Sequence, residues 1–346
     1  MAELNRQWLL RARPSGHLRM DDFEYREVPM PGAPLAAGEM RVRNVVFLCA
    51  PTMRNWMDPP GNSFYPSIPL GTPIFAPAVG RVVESNNPDF KAGDRVFAFS
   101  SWQDYTLVGG PSVRAPTKLV DGISFVDAMG RYGLNPITAY FGLLDVGAAK
   151  AGETLVVSGA AGSTGSTAAQ IGKAIGMRVI GIAGGAAKCA WLKNDCGLDG
   201  VIDYKSENVE ARLAALCPQG IDVFYDNVGG DILQAAVNNM APLGRIVLCG
   251  QISSYDTQQQ AEGPRNMMRL IYGSIRMQGF LCGNYAARFD EAVRDLAAWS
   301  AAGKIVYRED LHQGFDKLPA AFATLFTGGN QGTLLVQIDD SASDTR

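Results

Sequence analysis

The stretch Thr154-Leu-Val-Val-Ser-Gly-Ala-Ala-Gly-Ser-Thr-Gly-Ser-Thr-Ala-Ala-Gln-Ile171 decides the fold. Its apolar run Leu155 to Val157 is short enough for a buried strand. The run breaks at Gly159, Gly162 and Gly165, then passes into an Ala- and Ile-rich helical pattern that lasts to about Gly176. Strand, glycine turn and helix, in that order, are what a dinucleotide phosphate needs. The first glycine permits a tight turn, the second lets backbone N–H groups approach the pyrophosphate, and the third lets helix pack closely on strand. The helix N-terminus adds partial positive charge.

Beyond this stretch the same unit repeats. Met177 to Ala183 reads as a second strand, followed by a helix from about Ala187 to Asp195 that Gly197 ends as a left-handed cap. Val201 to Tyr204 is strand-like, a helix runs to Cys217, and Ile221 to Tyr225 is a strand. A helix starts near Gly230, and Gly244 to Gly250 closes the series. Strands alternating with short helices predict a parallel sheet with right-handed crossovers.

The end of the second strand selects the dinucleotide. An NAD site carries Asp or Glu there, about 20 residues beyond the glycine turn, to hold the ribose 2′-hydroxyl. Here it reads Ile182-Ala-Gly-Gly-Ala-Ala-Lys188, without an acid. An acid would repel a 2′-phosphate, whereas small residues and a lysine leave room and charge for one. Lys188 also falls on a helix first turn, where it opposes the helix dipole. Tyr204 is placed to flank the adenine or the phosphate. The cofactor expected is NADPH/NADP+.

At 346 residues the chain fits two domains. Hydrophobic residues make up 47% and charged ones 19%, with a net charge of −3 and no run of Lys or Arg. That balance gives no electrostatic support to nucleic-acid or anionic-membrane binding. No apolar stretch approaches the ~18 residues of a membrane span. The opening residues lack the apolar core of a signal peptide. Six cysteines (Cys49, Cys189, Cys196, Cys217, Cys249, Cys282) show no paired spacing, so reduced thiols in the cytoplasm are expected.

Residues 1 to 130 alternate polar and apolar over Phe23–Val28, Glu39–Phe47, Ala78–Glu84, Asp94–Phe99 and Trp102–Val108, the pattern of a small antiparallel β-barrel. Asp58 to Pro66 is a breaker-rich loop, and a helix is expected near Pro136 to Leu144. After Gly250, helices are expected over Asn266–Ile275, Asp290–Ala301 and Pro319–Phe326. Strands are expected over Arg276–Leu281, from Lys304 to Glu309, and over Gly332–Ile338. The chain is therefore expected to build one α/β domain (131–308) inside another domain (1–130 plus 309–346).

This layout resembles the medium-chain dehydrogenase/reductase superfamily, and within it the zinc-free branch of prostaglandin/leukotriene-type and curcumin reductases. The segments that carry the resemblance include Val82-Val-Glu-Ser-Asn86, Gly93-Asp-Arg-Val96, Trp102-Gln-Asp-Tyr105 and Thr138-Ala-Tyr-Phe-Gly-Leu-Leu144. They continue with Asp226-Asn-Val-Gly-Gly230, Ile252-Ser-Ser-Tyr255, Arg276-Met-Gln-Gly-Phe280 and Gly329-Asn-Gln-Gly332. The resemblance implies a Rossmann nucleotide-binding domain inserted into a GroES-like β-barrel catalytic domain. It implies that Gly162, Ser163, Thr164 and Gly165 hold the pyrophosphate and that Lys188 and Tyr204 hold the 2′-phosphate. Asn227, Tyr255 and Asn330 would border the cofactor together with Thr138, Gly250 and Ser253. Cys249 and Phe280, Leu281 and Cys282 would line its nicotinamide half. A homodimer is also implied. Two segments depart from the family pattern. Ala50-Pro51-Thr52-Met53-Arg54 stands where the family shows Asp-Pro-Tyr-Met-Arg, and Leu134-Asn135-Pro136 stands for Met-Pro-Gly.

Zinc dehydrogenases of the superfamily need Cys and His ligands. This chain has only His17 and His312, with Cys49 alone among cysteines before Cys189, so no metal is expected. Without a Lewis acid, alcohol oxidation loses its means of stabilising an alkoxide. Reduction of a double bond conjugated to a carbonyl is easier to support: hydride enters the β-carbon and charge moves to the carbonyl oxygen. That oxygen needs preorganised donors, and a tyrosine hydroxyl, with a pKa of about 10, stays protonated at neutral pH. The candidates are Tyr255, Tyr65 and Tyr272; water or the cofactor ribose are alternative proton sources. The expected activity is NADPH-dependent reduction of small α,β-unsaturated ketones and aldehydes. The alternatives are a quinone oxidoreductase and an NADPH-binding homologue without turnover.

Overall fold

Two-residue alternation makes the opening leg a series of strands. In a computed structural model, which describes residues 4–30, 34–61, 67–109, 115–257 and 263–339, they are β1 (Leu4–Leu10), β2 (Phe23–Pro29), β3 (Glu39–Leu48), β4 (Phe75–Ser85), β5 (Arg95–Ser101), β6 (Tyr105–Gly109) and β7 (Thr117–Lys118). Short helices α1 (Met53–Trp56) and α2 (Phe125–Met129) interrupt them.

The middle leg alternates helix and strand. It begins with α3 (Leu134–Phe141), which widens into one π-helical stretch over Gly142–Val146. Then follow β8 (Thr154–Ser158), α4 (Ser163–Ala174), β9 (Arg178–Ala183), α5 (Ala186–Asn194), β10 (Gly200–Asp203), α6 (Val209–Leu216) and β11 (Ile221–Asp226). The leg ends with α7 (Gly230–Asn239), β12 (Met240–Leu248), α8 (Met267–Gly273), β13 (Arg276–Gly279) and α9 (Phe289–Ala301). The return leg is β14 (Glu309–Gln313), α10 (Leu318–Thr327) and β15 (Thr333–Gln337). The chain divides into two compact units, Met1–Arg131 with Glu309–Gly329 and Thr333–Arg346, and Tyr132–Arg308 with Asn330–Gly332.

In the first unit the sheet order is β14-β15-β3-β4-β5-β7, with β6 also on β3. One edge of β3 serves two partners in turn: Glu39 to Arg43 pair with β6, and Val46 to Leu48 pair with β15. That accounts for the almost unbroken burial of β3. Phe47, Trp102, Phe315 and Phe322 are fully buried in this core, and each contributes about 1.5–3 kcal/mol by leaving water. Strand β1 pairs antiparallel with β2. It has no counterpart in the sequence reading, because its polar residues face partners far along the chain. The Asn5 side chain donates to Gln103 Oε1 (3.1 Å), and Arg6 pairs with Asp104 at 2.8 Å. The strand expected from Lys304 starts only at Glu309.

In the second unit six parallel strands lie in the order β10-β9-β8-β11-β12-β13. Alternate residues feed two cores, as the strand period requires. Leu155, Val157, Val179, Val223 and Val247 pack with α3, α4, α5 and α9. Val156, Ile180, Ile182, Phe224 and Ile246 pack with α6 and α7. This is a doubly wound Rossmann-like sheet. Among the described residues no helix is long and apolar enough to cross a membrane.

Candidate functional site

The strand order of the second unit creates its site. The chain lays down β8, β9 and β10 in one direction, then returns to start β11 on the other side of β8. Crossovers therefore leave β8 and β11 toward opposite sides, opening a crevice beyond their carboxyl ends, where open α/β sheets bind ligands. All but two of the residues singled out in this unit lie just beyond strand carboxyl ends or on segments bonded to those loops; Thr138 enters through α3, and Tyr272 is the exception.

The glycine turn follows β8. Gly159 adopts φ +58°, and Gly162 is the N-cap of α4, with Ser163, Thr164 and Gly165 in its first turn. A Cβ at Gly165 would lie 2.3 Å from the Gly159 carbonyl oxygen, so only glycine allows the helix this close to the turn. Gly172, further along α4, similarly lets it settle against Leu155. The first turn of α4 holds no acidic residue, so no carboxylate of its own offsets the positive end of the helix dipole.

Beyond β9 and β10, Lys188 sits in the first turn of α5 and Tyr204 follows β10 directly. The Tyr204 ring, 47% exposed, covers Gly184: a Cβ there would meet it at 2.8 Å. Asp203, at the end of β10, accepts the N–H of Gly185 through Oδ1 at 2.8 Å. These backbone donors hold the Asp203 carboxyl below the usual carboxylate range.

Beyond β11 and β12 the chain turns are tied together. Ser158 donates its hydroxyl to the buried Asp226 Oδ1 (2.7 Å), and Asp226 also accepts the N–H groups of Val228 (3.0 Å) and Gly229 (3.1 Å). Burial nevertheless raises the Asp226 carboxyl. Asn227 Nδ2 donates to the Ser158 carbonyl at 2.7 Å. The N–H groups of Cys249 and Gly250 both donate to the Asp226 carbonyl, and those of Ile252 and Ser253 to the carbonyls of Asn227 and Val228. The Ser253 hydroxyl donates to the Val228 carbonyl (2.6 Å), and Tyr255 accepts the Gln251 N–H on its hydroxyl oxygen at 3.0 Å. Residues 249–255 thus lie along 226–228.

Tyr225 links this edge to α3: its buried hydroxyl donates to the Thr138 carbonyl at 3.2 Å and bonds the Cys249 thiol. Burial pushes the Cys249 thiol up to about 12. Phe280, just past β13, closes on Gly142, where a Cβ would meet both Phe280 and Tyr225 at 2.6 Å. Leu281 is exposed and Cys282 half-buried beside it. On the other side, Gly332 forms a parallel bridge with Gly162, and Asn330 Nδ2 donates to the Gly332 carbonyl at 3.2 Å. The 330–332 segment thereby borders the glycine turn.

The structure does not bring Tyr272 to this end. Helix α8 leads into the start of β13, so Tyr272 lies beside Met240 and Pro242 at the opening of β12, 82% exposed, at the amino ends of the strands. Its expected catalytic role is corrected accordingly. Tyr65 lies outside the described residues. Of the two departures from the family pattern, Asn135 and Pro136 open α3, whose first-turn N–H groups have no helical partner and so tolerate a proline. Arg54 is buried and structural, donating to Asp58 Oδ1 (2.6 Å) and the Pro14 carbonyl (3.1 Å). Burial raises the Cys49 thiol. Among the described residues no group of three His, Cys, Asp or Glu could hold a metal ion.

Sequence reading missed Ser158, Asp226, Asp203 and Arg308. The Arg308 guanidinium bonds Gln331 and stacks over Trp191 of α5 at 5.7 Å. The signals available were position, with Asp203 inside the strand expected over Val201 to Tyr204 and Asp226 directly after that expected over Ile221 to Tyr225, and, for Asp226, its place at the head of Asp226-Asn-Val-Gly-Gly230.

Residues 6–115 match the family described as N-terminal domain of oxidoreductase, and residues 163–298 match that described as zinc-binding dehydrogenase. Over 343 residues the chain is 37% identical to the NADPH-dependent curcumin reductase of Escherichia coli (strain K12), covering 96% of this chain and 97% of that protein. It is 34% identical over 341 residues to the 2-alkenal reductase (NADP(+)-dependent) of Nicotiana tabacum, covering 96% and 97%. The solved structure of CurA in complex with NADPH from Vibrio vulnificus is similar at a TM-score of 0.89 and 38% identity, covering 97% of this chain and 99% of that one.

Proposed function

We propose that this chain, which belongs to the medium-chain dehydrogenase/reductase family and within it to the zinc-free branch of curcumin and prostaglandin reductases, is an NADPH-dependent reductase of the carbon–carbon double bond in α,β-unsaturated ketones and aldehydes. One observation carries the reading. The glycine turn opens at the switch point between β8 and β11, and the neighbouring end of β9 offers a lysine-bearing helix start in place of an acid. The named relatives support the substrate class, since curcumin and 2-alkenals share a conjugated carbonyl.

The residues fit the cofactor. The close approach of Gly165 to Gly159 leaves a glycine-lined surface at the positive end of α4, suited to a pyrophosphate. Lys188 and Tyr204 would hold the 2′-phosphate. Asn227, Asn330, Gly250 and Ser253 would border the dinucleotide. Thr138, Cys249 and Phe280 to Cys282 would line the nicotinamide half, to which Phe280 and Cys249 offer half-buried apolar surface. When bound, NADPH supplies the hydride that the β-carbon receives. Tyr255 would donate a hydrogen bond to the carbonyl oxygen as it gains enolate charge. The Gln251 N–H on its oxygen fixes the ring and polarises the O–H.

The test is the consumption of reduced nicotinamide against a panel of enones, enals and quinones, with a metal chelator present. Turnover on enones or enals with the saturated carbonyl as product is expected. Turnover on quinones alone, or NADPH binding with no turnover on any acceptor, would overturn the reading.

A further inference from the structure

We propose that Asp203 is the positioning residue of the 2′-phosphate site, setting the preference for NADPH by holding the turn between β9 and α5 in place. This rests on the reading of Lys188 and Tyr204 given above. The acid absent from the end of β9 stands one strand over, at the end of β10, where Asp203 pairs in register with Ala183, the last residue of β9. Its Oδ1 accepts the N–H of Gly185 at 2.8 Å and that of Lys205 at 3.0 Å. Gly185 is the N-cap of α5 at φ +94°, a conformation open to glycine, and has no side chain with which to cap the helix. Asp203 instead ties down the N–H of this N-cap residue from the neighbouring strand and so fixes where the helix begins.

Three further bonds make the device rigid. The Tyr204 N–H donates to the Ala183 carbonyl at 3.1 Å, and the Tyr204 ring rests on Gly184. The Asp203 N–H donates to Glu207 Oε2 at 2.8 Å, and the Glu207 N–H donates back to the Asp203 carbonyl at 2.9 Å. The end of β10 therefore clamps both residues of the Gly184–Gly185 turn, one through the Tyr204 ring and one through the Asp203 carboxylate. Lys188 lies three residues beyond Gly185 in the first turn of α5, so the direction of its side chain follows from that clamp.

The role is one of geometry, and charge and geometry can be separated. Asp203→Asn keeps a carbonyl oxygen in place of Oδ1 but removes the charge. Asp203→Glu keeps the charge but displaces the carboxylate by one methylene. With an enone acceptor, Asp203→Glu and Asp203→Ala are expected to raise the KM for NADPH on the order of tenfold, as the loss of one positioning hydrogen bond allows. The KM for NADH and both kcat values should change less than about twofold. Asp203→Asn should stay near the wild-type KM for NADPH. Wild-type behaviour of Asp203→Glu with an impaired Asp203→Asn would show that charge acts and would overturn the proposal; so would equal changes for NADPH and NADH. Lys188→Ala is run alongside. If it raises only the KM for NADPH while all Asp203 variants behave as wild type, the positioning role alone falls. If Lys188→Ala affects both cofactors equally, the 2′-phosphate site is elsewhere and both readings fall.

Discussion

The Ser158 hydroxyl donates to Asp226 Oδ1 at 2.7 Å, joining the carboxyl ends of β8 and β11 across the point where the strand order reverses. The same hydroxyl oxygen accepts the Asn227 N–H at 2.8 Å. A parallel sheet alone would leave these two loop starts to diverge, and this buried pair holds them in register. Ser158→Ala should cost about 1–3 kcal/mol of stability, because it leaves the Asn227 N–H and a buried carboxylate short of a partner. A denaturant midpoint unchanged from wild type would show that the pair carries no such weight.

The carboxyl itself gives a pH signature. Burial raises Asp226 above its ordinary 3.8, so the folded state holds this proton more tightly than the unfolded chain. Its contribution to stability is fully present below the unfolded value and is lost as pH rises through the folded one. Stability measured from pH 3.8 to neutrality should therefore fall for the wild type relative to Asp226→Asn, whose amide does not titrate. Parallel curves for the two proteins would refute the raised value.

Two glycines of the turn should respond differently. A Cβ at Gly165 would sit 2.3 Å from the Gly159 oxygen, whereas one at Gly162 would meet that oxygen at 3.3 Å and nothing else closer than 4 Å. Gly165→Ala should lose about 1–3 kcal/mol of stability through overpacking. Gly162→Ala should melt close to the wild type yet bind NADPH on the order of tenfold more weakly, because its methyl would face the pyrophosphate. Melting curves and NADPH titration of the two variants decide it; a stable, fully binding Gly165→Ala would remove the close-packing argument.

Tyr255→Phe tests the proposed enolate donor. Loss of one preorganised donor to a developing oxyanion lowers turnover by roughly a hundredfold or more, so kcat on an enone should fall by that order. A rate equal to the wild type would take Tyr255 out of the chemistry.

What was legible in the sequence follows the range of the forces involved. The strands β8 to β12 could be read because their apolar runs and glycine stops are local. Strand β1 could not, because Asn5 and Arg6 are satisfied by Gln103 and Asp104, about a hundred residues away. For the same reason Ser158, Asp203 and Asp226 stood beside the expected strand ends without a role; their work is to hold turns that the chain reaches later or from a neighbouring strand. Tyr272 was misplaced because residue type suggested chemistry, while its position in the strand order puts it at the opposite end of the sheet.

The Cys249 thiol offers a last test, bearing on an enzyme expected to handle electrophiles. It sits just beyond β12, packed on the core and bonded to Tyr225, and its burial pushes it from 9.0 up to about 12. Only the thiolate adds to a conjugated double bond. A rise of that size leaves the thiolate fraction roughly a thousandfold below that of an ordinary thiol at neutral pH. Cys249 should therefore resist alkylation by both iodoacetamide and enone substrates in the native protein, and become reactive once denaturant exposes it. Peptide mapping by mass spectrometry reads the extent of labelling at this one residue. Rapid native labelling of Cys249 at neutral pH would mean that this half-buried thiol is not held protonated as its surroundings indicate.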